Sequence, residues 1–92
     1  MEIEIEIGPA GKVGLKAPQQ HWHGRNPDLI QYARFAGQEM MANQKSDEEP
    51  DIFELHFLGL VGTGFESMAE AKETAAAFAR EVFTYLSQMV KD

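Results

Sequence analysis

The chain has no cysteine. That excludes disulfides and thiolate chemistry, and leaves zinc only histidine and carboxylate as ligands. Basic residues are scarce as well: eight Lys and Arg stand against fifteen Asp and Glu, for a formal charge of -7. Nucleic-acid affinity comes largely from cations that neutralise phosphates, so this balance argues against a phosphate-backbone binder and for a basic partner surface. No apolar run approaches the roughly 20 residues that span a bilayer. The opening Met-Glu-Ile-Glu lacks the basic start and apolar run of a signal peptide, and the expectation is a cytoplasmic protein. Ser46, Ser67 and Ser87 sit in no nucleophile elbow, and the P-loop lysine and the dinucleotide fingerprint are both missing. The expectation is a protein that is not an enzyme and carries no cofactor.

The 92 residues, 43% of them apolar, suffice for one domain spanning 1–92 with one modest core. Residues 2–7 alternate strictly, Glu-Ile-Glu-Ile-Glu-Ile, the period of a half-buried strand. Val13 and Leu15 alternate with Lys12, Gly14 and Lys16. A turn through Pro9 and Gly11 would join the two strands with Ile7 facing Val13, Ile5 facing Leu15 and Glu4 facing Lys16. Residues 17–26 have no period and read as a loop. Asn26-Pro27-Asp28 resembles a helix start, and Leu29, Tyr32, Ala33, Ala36 and Met40 follow at helical spacing, with Gly37 as a weak point.

Residues 43–50 read as an acidic loop. Asp51 to Leu58 alternates again, and a glycine-rich return strand over 59–65 is conceivable. Ser67-Met68-Ala69-Glu70 is a capping box that opens a last helix over 67–91, on the order of 37 Å long. Its stripe of Ala71, Ala75, Phe78, Val82, Tyr85 and Met89 has the period of a helix–helix seam. The fold class is therefore α+β: an antiparallel β-hairpin plus one or two further strands, with two helices packed on one face, in ββαβ(β)α order.

Candidate sites follow from this layout. The glutamate row Glu2, Glu4, Glu6 and the cluster Asp47, Glu48, Glu49, Asp51, with Glu54, are candidates for contact with a partner protein. Carboxylates at strand spacing also suit acid–base work, but on an open strand face they have no cleft, and the plain reading is a solvated face. His21 and His23 lie two apart, and His56 could add a third nitrogen to a metal site. The plain reading there is a loop pinned by Trp22. Gly59, Gly62 and Gly64 before a capped helix could cradle a phosphate, but Glu66 would repel it. Phe83, Tyr85 and Met89 widen the last helix's apolar face and are candidates for a dimer seam.

The segment Glu4-Ile5-Glu6-Ile7-Gly8-Pro9-Ala10-Gly11-Lys12-Val13 resembles the first hairpin of several small bacterial and phage proteins. In size, acidity and lack of a catalytic motif the chain is similar to phage-encoded inhibitors, including anti-CRISPR proteins and nucleic-acid mimics. That likeness is compositional and carries no residue over. The functional expectation is a small acidic binding protein that occupies a basic surface of a partner protein. Two alternatives stand beside it: an assembly subunit that oligomerises, with a homodimer as the expected form, through its long C-terminal helix, and a small His-based metal-binding domain.

Overall fold

The computed structural model describes residues 1–4 and 12–92. Five strands, β1 (His23–Asn26), β2 (Ile30–Phe35), β3 (Gln38–Gln44), β4 (Phe53–Phe57) and β5 (Leu60–Phe65), precede one α-helix, α1 (Met68–Gln88). The strands form a single antiparallel sheet in the order β1-β2-β3-β4-β5, each paired with its neighbour in sequence. The fold is α+β, as expected, but among the described residues there is one α-helix and not two.

The segment expected as the first helix is the hairpin β2–β3. Its helical spacing competes with an equally good alternation: Gln31, Ala33 and Phe35 are buried, while Ile30, Tyr32 and Arg34 face the other way. The residues that decide between the two are Ala36 and Gly37, which have φ of 53° and 75°. Positive φ at both central positions is the signature of the two-residue turn that matches strand twist. A helix cannot pass through such a pair. Asn26-Pro27-Asp28-Leu29, expected as a helix cap, is instead the β1–β2 turn, with the Leu29 amide donating to the Asn26 carbonyl at 2.9 Å. Proline at the second position serves a turn as well as it serves a helix start.

The expected N-terminal hairpin is also corrected. Residues Lys12–Leu15 form a short 3-10 helix rather than a strand, and Glu2 and Glu4 are exposed without regular structure. The paired strand containing Ile5, Glu6 and Ile7 lies outside the described residues. Tertiary contact overrides local alternation here, because Gly14 is buried against the β2–β3 turn. A side chain at Gly14 would meet the Gly37 carbonyl oxygen at 2.6 Å. Gln19 fastens this segment down. Its Nε2 donates to the carbonyls of Gly14 and Ala17, both at 2.7 Å, and its Oε1 accepts from the Gly37 amide at 2.8 Å.

The second half follows its local signals. β4 and β5 join through Leu58-Gly59, again with two positive φ values, 50° and 81°. One extra residue on β5 between the pairs Leu55↔Gly62 and Phe53↔Phe65 makes a bulge that returns Phe65 to the core side. Ser67 caps α1, its Oγ accepting from the Glu70 amide at 3.0 Å, while Glu70 Oε2 accepts from the Glu66 amide at 2.8 Å. The capping box is therefore reciprocal but reaches one residue further back than the usual form.

α1 packs on one face of the sheet. Ala71, Ala75, Ala79 and Val82 meet Ala33, Phe35, Met40, Ala42, Leu55 and Phe57. Three alanines along the contact stripe let the helix axis lie close to the strands. The expected helix–helix seam is thus a helix–sheet seam. Trp22 closes one side, its ring 5.9 Å from that of Phe35, so the loop before β1 is pinned to the core by its tryptophan. Gln31 is the one buried polar side chain among the described residues, and it is satisfied: Nε2 donates to the Pro27 carbonyl at 2.8 Å and Oε1 accepts from Lys72 Nζ at 3.5 Å.

Candidate functional site

The meander has two ends, and they differ in charge. At one end lie the β1–β2 turn, the β3–β4 loop and the β5–α1 connection. These carry Asp28; Asp47, Glu48, Glu49 and Asp51; and Glu66, all exposed. Backbone bonds tie the three connections together. The Gln44 amide donates to Leu29 at 2.8 Å, the Lys45 amide donates to Ile52 at 2.8 Å, and Phe53 pairs with Phe65 next to Glu66. At the other end the connections are Ala36-Gly37 and Leu58-Gly59, which carry no charge.

Little compensates the acidic end. Among the described residues the ion pairs are Lys45 Nζ with Glu49 at 2.8 Å and His56 Nε2 with Glu54 at 3.2 Å. A hydrogen bond to Glu49, together with its charge, holds the Lys45 ammonium above its ordinary value, and Glu54 adds to this. Lys72 is turned to Gln31. The acidic end therefore presents several carboxylates to solvent, where their summed field can steer a cationic surface toward them.

The expected site residues are distributed as follows. Asp47, Glu48, Glu49 and Asp51 gather with Asp28 and Glu66, two acids that sequence spacing had not linked to them. The signal that joins them is the strand order, which puts alternate connections on the same end of a meander. Glu54 sits on the uncovered face of β4 and is half-buried beside His56. Glu2 and Glu4 are exposed, and Glu6 lies outside the described residues.

The three histidines do not converge. His23, Tyr32, Met41, His56 and Val61 form one row across the sheet, so β2 and β3 stand between His23 and His56. Three strand spacings amount to about 14 Å, far beyond what one metal ion can bridge. Among the described residues no group of three His, Asp or Glu could hold a metal. The glycines are separated too: Gly59 is a turn residue, whereas Gly62 and Gly64 lie within β5, so they do not form a loop at the helix start.

The candidate seam divides. Phe83 sets its ring 5.4 Å edge-on to that of Phe57 while 38% of it stays exposed. Tyr85 and Met89 stay outside, at 55% and 62% exposure. No helix among the described residues is long and apolar enough to cross a membrane. No protein-family model, curated protein or solved structure matches the chain.

Proposed function

We propose that this is a non-enzymatic binding protein that occupies a basic surface of a partner protein with the acidic end of its sheet. One observation carries the reading: three connections far apart in sequence expose Asp28, Asp47, Glu48, Glu49, Asp51 and Glu66 at the same end. Such a cluster steers association with a cationic partner and sets its salt dependence. The compositional likeness to phage-type inhibitors, which act by covering a partner's working surface, points the same way. The contact surface is narrower than the sequence implied, since it centres on the β3–β4 loop and not on the opening glutamates.

The test is affinity capture from the native host at low and high salt. It compares the native chain with a loop variant (Asp47→Asn, Glu48→Gln, Glu49→Gln, Asp51→Asn) and with Glu2→Gln, Glu4→Gln. The expected result is a specific partner that is lost at high salt and from the loop variant. A partner retained equally by the native chain and the loop variant would refute the assignment of this end.

A further inference from the structure

We propose that the hollow between the loop before β1, the β2–β3 turn and α1 is a binding site for a small aromatic carboxylate, with its ring against Phe35 and Phe83 and its carboxylate on Arg80. The proposal is independent of the acidic-end reading. Gln20 lines the hollow from the loop, Phe35 and Ala36 from the end of β2, and Ala76, Ala79, Arg80 and Phe83 from the helix, around a volume of about 160 Å³. An apolar cavity of about 150 Å³ holds one benzene ring, so the space suits a single aromatic ring. Phe35 and Ala79 belong to the core, so the hollow reaches down to it. Ala76 and Ala79 make the room, since a larger side chain at either place would occupy it.

The loop wall is held in place on both sides of Gln20. Before it, Gln19 Oε1 accepts from the Gly37 amide at 2.8 Å, and after it the Trp22 ring packs 5.9 Å from that of Phe35. The Gln20 amide itself donates to the Arg34 carbonyl at 2.7 Å. Gln20 has φ of 59°, a left-handed conformation that a residue other than glycine adopts at a cost, and these contacts hold it there. A wall fixed in advance lowers the ordering cost of binding.

Charge selects the class of ligand. Arg80 is the one charged side chain on this wall, whereas the two larger hollows along α1 both include Glu81. The helix neighbours of Arg80 three and four residues away are Ala76, Ala77, Phe83 and Thr84, and none is acidic. Among the described residues Arg80 forms no ion pair. A cationic ligand is therefore repelled, and an uncharged ring leaves the guanidinium without a counter-charge. A phosphate carries close to two charges, which one cation only half neutralises. A carboxylate carries one, and a guanidinium binds it through two parallel N–H···O bonds. The Gln20 side-chain amide offers a further donor on the same wall.

Two-dimensional NMR titration of the full chain with phenylacetate tests this, with phenylacetamide as the uncharged match and acetate as the ringless one, all at fixed ionic strength. Phenylacetate should give saturable shifts at Gln20, Ala36, Ala76 and Ala79, and the other two should bind at least ~10-fold more weakly. Arg80→Gln should weaken phenylacetate at least ~10-fold and leave phenylacetamide unchanged, with an unchanged circular dichroism spectrum. Ala76→Leu fills the hollow and should abolish binding of both. A peptide ending in a free phenylalanine carboxylate identifies the source: tighter binding than phenylacetate assigns the site to a protein C-terminus, weaker binding to a free small molecule. No saturable shift at these residues, equal affinity for acid and amide, or undiminished affinity in the folded Arg80→Gln variant would each overturn the proposal.

Discussion

The turns of the two hairpins β2–β3 and β4–β5 have the same local chemistry and opposite surroundings. Each follows a buried or core-facing phenylalanine: Phe35-Ala36-Gly37 in one, Phe57-Leu58-Gly59 in the other, with positive φ at both turn residues. Around Gly37 the structure is crowded. A Cβ there would stand 2.7 Å from Leu15 Cδ2, and its amide is bound by Gln19. A Cβ at Gly59 would meet nothing within 4 Å among the described residues. A turn's conformational demand is thus a property of a few residues, while its tolerance to change is set by whatever the rest of the chain lays against it.

The largest effect that could break this comparison is Gly37→Ala. Strain at positive φ plus the clash with Leu15 should cost about 2–3 kcal/mol, whereas Gly59→Ala should cost only the strain, about 1 kcal/mol. Chemical denaturation of both variants measures the difference; equal losses would mean that the 3-10 segment does not hold the first turn. Next comes Gln19→Ala, which removes the side chain bonded to three backbone groups and should cost about 1–3 kcal/mol. Among the described residues no side chain bonds the second turn in this way, so no single polar truncation near Gly59 should match it.

A smaller effect of opposite sign is expected for Leu58→Asn. Leucine is poorly suited to φ of 50°, and Asn tolerates it, so thermal stability should rise by about 0.5–1 kcal/mol. The smallest effects belong to the acidic end. Neutralising Asp47, Glu48 and Asp51 together should leave stability within about 0.5 kcal/mol while removing the salt-dependent partner contact. The Lys45–Glu49 pair is exposed and contributes little. With the Lys45 pKa raised in the folded state, that contribution is present below the ordinary value of 10.5 and disappears as pH climbs through the raised one. A stability profile that changed near neutral pH on Lys45→Met would contradict this assignment.

How much was legible varied along the chain. β4 and the capped helix were readable, because alternation and Ser67…Glu70 are local signals, while the return strand β5 stood only as an option beside them. From residue 26 to 42 two periods coexisted. Leu29, Tyr32, Ala33, Ala36 and Met40 fit a helix, Gln31, Ala33 and Phe35 fit a strand, and the discriminating signal was the small pair Ala36-Gly37, read as a flaw in a helix when it was a turn. The acidic loop was visible as a cluster. Its neighbours Asp28 and Glu66 were not, since their proximity depends on strand order.

The sequence by itself determined the character of the molecule: acidic, cysteine-free and α+β, with a capped C-terminal helix and a strand before it. These are matters of composition and local periodicity, which need no long-range contact. Only the tertiary structure decided that the central segment is a hairpin, that residues 12–15 curl onto its turn, and that His23 and His56 stand three strands apart. It also decided that alternate connections of a five-strand meander gather the acids at one end, while the two turns at the other end, Ala36-Gly37 and Leu58-Gly59, carry no charge. Pairing between strands places residues by register and not by separation along the chain, so the layout that gives this surface its charge exists only once the sheet has formed.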